Sequence, residues 1–404
     1  MSPSASGAPR PPAGVKIKLG FLLLLAGLTA FAPLSIDMYL PALPQMARDL
    51  HAPAAAGALT VAAFYIGLCL GQLVHGPLSD RVGRRPPLVA GIAIYVVASI
   101  GAALAGSVEM LIAMRFLEAL GGCAGLVVGR AVVRDSFTPE DSAHVFSLLL
   151  LVMSLAPVIA PLLGSLVLLV AGWRTIFWIL VGFGSIVWIG TMFRLKETRS
   201  IETAAHARAE SPLRSYAAIL TERQVMGYAL AAGCSHMGLL TYLAIAPEVI
   251  ITGFGVSPQH FGWVIAVNGI GLVAANAFNR KLLRRWRYDQ ILRRANGVSI
   301  GASVLLALAA YTGFGGFWGV TIPLFVIVGL IGFTQPNAFA GAMAHDPRRA
   351  GAVSALVGCL QFGLGAAGSS IAGLLHDGTA RPMATIILIA FVTAGLFLRL
   401  LAKD

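Results

Sequence analysis

Residues 76–85 read GPLSDRVGRR, and this short polar segment lies between two long apolar runs. Its glycines and its proline permit a tight reversal of the chain, and its aspartate can cap a helix or pair with a cation. Three arginines in ten residues favour the cytoplasmic side of a membrane. The segment therefore predicts a short cytoplasmic loop that joins two membrane spans.

The composition agrees with a membrane protein. Hydrophobic residues make up 57% of the 404 residues, charged residues only 11%, and the mean hydropathy is +0.83. A soluble globular domain carries about 25% charged residues. Twelve apolar stretches are long enough to cross a hydrocarbon core of about 30 Å. They cover residues 19–42, 54–77, 87–106, 108–133, 142–171, 173–193, 224–251, 259–280, 290–312, 317–343, 350–375 and 382–401.

The placement of positive charge tests this count independently, because cytoplasmic loops hold most of the Lys and Arg residues. With a cytoplasmic N-terminus, 24 of the 29 basic residues fall in the N-terminal segment, the cytoplasmic loops or the C-terminus. Shifting the topology by one span would invert this bias. We therefore predict that both termini are cytoplasmic. The net charge of +12 is then a signal of topology, and no nucleic-acid partner is needed to explain it.

A mixed-charge segment near the middle divides the chain. The sequence predicts a disordered cytoplasmic tail over 1–15, an N-terminal six-helix bundle over 16–193, a cytoplasmic linker over 194–222 and a C-terminal six-helix bundle over 223–404. The predicted fold class is an all-α membrane protein with twelve transmembrane helices in two six-helix bundles.

The sequence motifs of several other functions are absent from the chain. The four cysteines lie in apolar spans without C-x-x-C spacing, which indicates small core residues and neither disulfides nor a metal site. H-E-x-x-H and the phosphate-binding G-x-x-x-x-G-K-[ST] are absent from the sequence, so ATP hydrolysis by the chain itself is not expected. A membrane-embedded enzyme is disfavoured because no constellation of nucleophile, base and metal ligands is present. We predict no catalytic residues and no cofactor.

Three motifs carry a resemblance to a known family. The segment 76–85 matches the loop signature of the major facilitator superfamily at every defined position. Residues 35–44, SIDMYLPALP, resemble the first span of its bicyclomycin and chloramphenicol resistance branch (Bcr/CflA), to which the florfenicol exporters are related. Residues 156–164, APVIAPLLG, are similar to the antiporter motif, although Ala160 and Ser165 stand where glycine is common. The resemblance implies two parallel bundles around a central cavity in the bacterial inner membrane.

The resemblance also implies roles for motif residues. The expected gating motif consists of Gly76, Asp80, Arg81, Gly83, Arg84 and Arg85. The expected antiporter motif, which should bend span 5 and let it close against span 8, consists of Pro157, Pro161 and Gly164.

Asp37 is the strongest single candidate for proton coupling. It lies deep in span 1, where inserting a carboxylate costs about +2.5 to +3.5 kcal/mol, so such groups are rare and usually functional. The alternative is a structural partner of a fixed arginine. By resemblance, Asp37 is the site where proton and substrate compete.

Two charged residues of span 4 complete the predicted proton-coupling group. Arg115 is the natural partner of Asp37, because an arginine keeps its charge and can tune a neighbouring acid, although a purely structural role is the alternative. Glu118 lies three residues later on the same helical face, where the family usually has glutamine. It either forms an ion pair with Arg115 or serves as a second proton or cation site.

Substrate contacts are harder to assign, since a Met or Phe on a membrane helix most often only packs. Arg130 either lines the cytoplasmic mouth, where it attracts anionic or polar substrates, or binds a carbonyl near the inner face. His236 either contacts substrate or is a satisfied core histidine. The predicted substrate-binding residues are Met38, Tyr39, Met153, His236, Tyr242, Asn268, Asn276, Asn337, Phe339, Gln361 and Phe362.

Together these features predict a drug:proton antiporter. It would export small hydrophobic drugs by alternating access, driven by the proton gradient, as a monomer in the lipid bilayer. The alternative is a proton-coupled metabolite transporter of the same fold, such as an amino-acid or siderophore exporter, or an importer.

Overall fold

The computed structural model describes residues 19–53, 55–200, 203–205, 211–346 and 349–402. Twelve helices in these ranges are long and apolar enough to cross a membrane. Strands are absent from the described ranges, which confirms the all-α prediction. The helices are α1 Leu19–Asp37, α2 Ala55–Val82, α3 Arg85–Ala103, α4 Val108–Ser136, α5 Pro139–Val170, α6 Arg174–Arg194, α7 Arg223–Pro247, α8 Pro258–Leu282, α9 Tyr288–Thr312, α10 Gly316–His345, α11 Ala350–Leu374 and α12 Arg381–Leu400.

The first span is longer than the sequence predicts. Beyond α1 the chain forms a 3₁₀ turn, Leu40–Ala42, and a short helix, Leu43–Asp49, so that the span ends at Asp49 and not at residue 42. Pro41 and Pro44 interrupt the α1 hydrogen-bond ladder because proline has no backbone N–H. Both prolines lie in the first turns of the new segments, where that N–H would be unpaired anyway.

Helices α1–α6 pack mainly on one another, as do α7–α12, and the two sets meet along α2 with α11 and along α5 with α8. The backbones of α5 and α8 approach closely at Gly269, where a methyl group would lie 3.3 Å from the Pro157 carbonyl oxygen. Ser165 of α5 donates a hydrogen bond to the Pro258 carbonyl of α8 at 2.9 Å. The predicted packing of span 5 against span 8 is therefore present.

The antiporter-motif residues lie in one continuous helix. Pro157 and Pro161 are both inside α5, and the Met38 carbonyl occupies the space that a side chain at Gly164 would need. Gly164 thus allows α5 to approach the point where the first span breaks.

The segment between α6 and α7 contains a short linker helix, Pro212–Thr221, whose Ile219 is buried. Tyr216 of this helix donates a hydrogen bond to the Leu73 carbonyl of α2 at 3.3 Å. The linker therefore packs on the bundle. The predicted tail over 1–15 lies outside the described residues.

Candidate functional site

The segment 76–85 is mostly helical. α2 runs to Val82, five residues beyond the predicted end of span 2 at residue 77, with Pro77 inside the helix. The reversal is confined to Gly83 and Arg84, and Gly83 has φ +107°, a conformation that favours glycine. The turn predicted from Gly76, Pro77 and Gly83 therefore begins later than expected, because Pro77 is accommodated inside the helix.

Arg84 joins the ends of three helices. Its guanidinium is 1% exposed, forms an ion pair with Asp80 of α2, and binds Asp135 of α4 through Nε at 2.7 Å. It also donates to the Ser79 hydroxyl at 2.9 Å. Because the one buried cation binds two carboxylates on different helices, the cluster fixes α2, α3 and α4 at the end of the bundle where α2, α4, α8 and α10 finish. We call this end the basic end.

Glu197, just after α6, caps the start of α3. Its carboxylate accepts hydrogen bonds from the backbone N–H groups of Arg84 at 2.8 Å and Arg85 at 3.2 Å. Partial burial alone would raise the pKa of Glu197, but these N–H groups and those of two following residues outweigh it and keep the pKa below its usual value. Arg199 then binds the carbonyls of Asp80 and Arg81. The start of the linker is thus fastened to the gating motif.

A cavity of about 500 Å³ lies between the two helix sets at the basic end. The ends of α2 and α4 form one wall, α10 and the first turn of α11 form the other, and the linker helix closes one side. Its lining consists of Gln72, Gly76, Pro77, Ser79, Asp80, Arg81, Arg84, Val127, Arg130, Ala131, Arg134, Phe146, Thr203, Pro212, Ser215, Tyr216, Met343, Arg349, Ala350, Gly351, Ala352, Ser354 and Ala355.

The opposite end of the bundle is closed. A methyl group at Gly373 of α11 would lie 2.7 Å from the Ala58 side chain of α2. The hollow found there measures about 10 Å³ and is lined in part by Glu248 and His376. Among the described residues, the helices are therefore packed together at this end, and the large cavity lies at the basic end.

The cavity stops at a contact between α2 and α11 that we call the α2–α11 seam. Gln72 packs against Gly358, where a methyl group would lie 2.9 Å from the Gln72 amide carbon. One to two turns further in, the rings of Tyr65 and Phe362 are 6.4 Å apart. Between these two levels, the sulfur atoms of Cys69 and Cys359 are 3.2 Å apart.

The cysteine pair makes the seam testable. We expect copper(II)-phenanthroline to oxidise Cys69 and Cys359 to a disulfide that joins α2 to α11. With a protease site placed in the linker, cleavage should then leave the two halves together on a non-reducing gel. Cys69→Ser should abolish the link, whereas Cys123→Ser, at a buried cysteine of α4, should keep it. Separation of the halves after oxidation would show that this seam does not form in the membrane.

Asp37 lies beyond the seam. It is the last residue of α1 and is 5% exposed. Its carboxylate has no ion-pair partner or hydrogen bond among the described residues, which is costly for a buried charge. Tyr65 is close enough to interact electrostatically with it, and the buried Tyr65 hydroxyl also lacks a partner among the described residues. Asp37 is thus available for a proton and separated from the cavity by the seam.

Arg115 pairs with Glu118 and not with Asp37. Both side chains are fully buried, and Arg115 Nη1 lies 2.8 Å from a Glu118 carboxylate oxygen. Arg115 Nη2 donates to the Ser35 carbonyl at 3.0 Å, and the guanidinium carbon lies 4.2 Å from the Phe64 ring centre. The expected tuning of Asp37 by a direct ion pair is not what the structure shows. The intrahelical ion pair left open by the sequence is the arrangement observed.

The predicted substrate-binding residues lie away from the cavity, and none of them lines it. Three of them are buried and hydrogen-bonded to a neighbouring side chain: Tyr39 to Thr60, Tyr242 to Asn268, and Asn337 to Asn279. Their role in binding stays a prediction, because it would require the seam to open. The remaining members are buried or partly buried: Met38, Met153, His236, Asn268, Asn276, Phe339, Gln361 and Phe362.

His236 contacts a ring of the seam, and Gln361 precedes that ring in α11. The His236 ring packs edge-on against Phe362 with centroids 5.8 Å apart, and its Nδ1 has no partner among the described residues. Gln361 donates to Gln335 at 2.5 Å. The sequence reading missed Gln335 and Gln72. An isolated glutamine in an apolar span is the signal that could have found them.

The comparisons with known proteins agree with this architecture. The profile of the Major Facilitator Superfamily matches residues 25–370. The chain belongs to the Major Facilitator Superfamily. It is therefore a multi-pass membrane transporter and not an enzyme.

Its relatives include named resistance proteins. The chain is 35% identical over 392 residues to the MFS-type transporter YdgK of Bacillus subtilis (strain 168), covering 96% of this chain and 97% of the relative. It is 32% identical to a chloramphenicol resistance protein of Pseudomonas aeruginosa, over 93% of this chain and 89% of that protein. It is 29% identical to a bicyclomycin resistance protein homologue of Haemophilus influenzae, over 90% and 91%. These relatives confirm the resemblance to the resistance branch.

Solved structures of the same superfamily share the fold. A D-xylose-proton symporter matches with a TM-score of 0.75 at 15% identity, over 95% of this chain and 98% of that structure.

Proposed function

We propose that this transporter exports small hydrophobic drugs from the cytoplasm in exchange for protons, by alternating access. The names of its relatives support a resistance function. The observation that carries proton coupling is Asp37, a buried carboxylate without an ion-pair partner among the described residues. Protonation would remove its uncompensated charge, so proton uptake and release at Asp37 can be coupled to the change between the two states of the transporter. Arg115 and Glu118 would hold the surrounding helices in place.

We propose that the basic end of the bundle faces the cytoplasm. The basic end is the cytoplasmic end, since cytoplasmic loops carry the excess of Lys and Arg, and both termini then lie in the cytoplasm of a bacterium. The cavity accordingly faces the cytoplasm, where drug would be collected. We propose that the protein works as a monomer in the inner membrane, with the proton gradient as its energy source and without a cofactor.

Alternating access would close the cavity and open the seam. Asp80 and the first turn of α11, including Ala350 and Gly351, stand on opposite walls of the cavity. When the cavity closes, the Asp80 carboxylate would meet the N-terminus of α11, whose dipole favours a negative charge. The gating motif would thus stabilise the state in which the cavity is closed, and Asp37 would become accessible when the seam opens.

Asp80→Asn should therefore slow turnover with little change in drug binding. We expect kcat to fall about tenfold, which corresponds to about 1.4 kcal/mol of lost stabilisation of the closed state, and the drug affinity to stay within about twofold. Uptake by proteoliposomes and equilibrium binding measure the two quantities. Asp377→Asn, which makes the same chemical change in an exposed loop at the opposite end, is the matched control. Equal losses of binding and turnover would indicate misfolding and contradict the gating role.

Transport in everted membrane vesicles tests the function itself. After acidification of the lumen, addition of a transported drug should release luminal protons, reported by recovery of quinacrine fluorescence. The panel should include chloramphenicol, bicyclomycin, a sulfonamide and a lipophilic cation, with susceptibility measured in an efflux-deficient host. A metabolite exporter would show the proton response with an amino acid or siderophore only, and an importer would move substrate in the opposite direction.

A further inference from the structure

The cavity at the basic end carries an excess of positive charge. Among the residues that the structure describes, five arginines line it, against a single acidic residue, Asp80. That aspartate is already paired with Arg84, which is also bound to Asp135. Arg349 pairs with Asp346 at 3.2 Å. Asp80, the acidic residue of the described lining, is therefore already paired with a cation and is not free to receive another.

Arg130 is a cation without such compensation. It has no ion-pair partner among the described residues, yet it lies six residues before the end of α4 at Ser136. At 1.5 Å per residue this places it about 9 Å into the bundle from that end. Lys and Arg residues that only mark topology sit at the helix ends or in loops. Arg130 is exposed to the cavity and lines it beside Val127.

Apolar surface surrounds this charge. Val127 and Phe146 of the first helix set, Tyr216 of the linker helix and Met343 of α10 all line the same cavity. An aromatic or aliphatic body can pack on these side chains while an anionic group faces Arg130. Inside a partly desolvated cavity such an interaction is stronger than in water.

The buried ion pair of Arg115 and Glu118 removes a negative charge that would otherwise favour cationic substrates. Because Glu118 is neutralised by Arg115 at 2.8 Å, it offers no net charge to a cationic substrate. We propose that this transporter accepts amphipathic monovalent anions, which bind with the charged group at Arg130 and the apolar body against Phe146 and Met343. The inference rests on the proposed export function and narrows its substrate class. Exchange of one such anion for one proton would move two charges across the membrane, so transport would respond to the membrane potential.

Tetraphenylborate and tetraphenylphosphonium provide a sharp test, because they share size and shape and differ in the sign of charge. Binding to the purified full-length protein in detergent should be measured by equilibrium dialysis, with empty micelles subtracted. We expect the protein to bind tetraphenylborate more tightly than tetraphenylphosphonium. Arg130→Gln should weaken tetraphenylborate binding about tenfold and leave tetraphenylphosphonium binding unchanged or tighter, since only the anion loses a Coulombic partner.

Two variants serve as controls. Arg130→Lys keeps the charge and should retain most of the anion preference. Arg280→Gln removes a charge from the last turn of α8 at the same end, outside the cavity lining, and should stay within about twofold of the unchanged protein. Equal binding of both ions by the unchanged protein, or an equal loss of both in a monodisperse Arg130→Gln variant, would overturn the proposal.

The anion preference and the proton-coupled export can be tested independently. Asp37→Asn should still bind tetraphenylborate with the preference intact, because Asp37 lies beyond the seam. Proton-coupled chloramphenicol export together with no anion preference would overturn this inference alone. An intact anion preference with export that does not depend on Asp37 would overturn only the proposed proton coupling.

Discussion

Replacing Asp37 with asparagine will reduce drug resistance and drug-driven proton release to the level of cells that lack the protein. Asparagine has nearly the same shape as aspartate but takes up no proton at physiological pH. The folded structure should survive, because Asp37 has no ion-pair partner among the described residues and its loss leaves no such partner uncompensated. The expected result is a well-expressed, drug-binding protein without exchange.

The measurement compares proton release in everted vesicles with drug binding to the same preparation. Asp377→Asn makes the same chemical change in an exposed loop at the opposite end and should transport normally. Resistance at the unchanged level from well-expressed Asp37→Asn would remove Asp37 from proton coupling. Loss of folding in this variant would instead assign Asp37 a structural role.

The sequence predicted the number and type of helices well, because each span is a long apolar run and needs no knowledge of its neighbours. Its errors lie where local chemistry and tertiary packing disagree. The predicted span 2 ends at residue 77, but α2 continues to Val82, because a proline is tolerated inside a helix whose freed groups find other partners. The predicted span 1 ends at residue 42, although a short helix continues the span to Asp49.

The candidate site was only partly predictable. Asp37, Arg115 and Glu118 stood out because each is an ionisable residue within an apolar span. Their pairing could not be read from the sequence, because a partner three residues away and a partner on another helix are equally compatible with it. The pairing of Arg115 with Glu118 follows from the helix geometry of α4 together with the backbone carbonyl of Ser35.

The position of the cavity also depends on information that a single sequence lacks. A transporter has at least two states, and each exposes different residues of the same helices. The residues predicted from the sequence belong to a central cavity, whereas the large cavity among the described residues lies at the basic end. The seam at Cys69 and Cys359 could not be predicted either, because its two cysteines are 290 positions apart in the sequence.

Glu118→Gln tests the buried pair and should have the largest effect on stability. Glutamine keeps the shape of the side chain but leaves the fully buried Arg115 guanidinium without its carboxylate. Breaking a buried ion pair by removing one partner typically costs about 3–5 kcal/mol, much more than removing both partners together. We therefore expect a large drop in the thermal midpoint of the purified protein and a loss of transport for neutral drugs and cations alike.

The double variant Arg115→Gln, Glu118→Gln separates the pair from its members. If the two charges mainly compensate each other, the double variant should be less destabilised than the sum of the single changes, in a double-mutant cycle read by thermal unfolding. Additive losses would show that the two residues act independently. A Glu118→Gln variant that keeps its thermal midpoint and loses only the transport of tetraphenylphosphonium would identify Glu118 as a free acid of the substrate path. That outcome would also contradict the anion preference, because that preference requires the charge of Glu118 to be neutralised by Arg115.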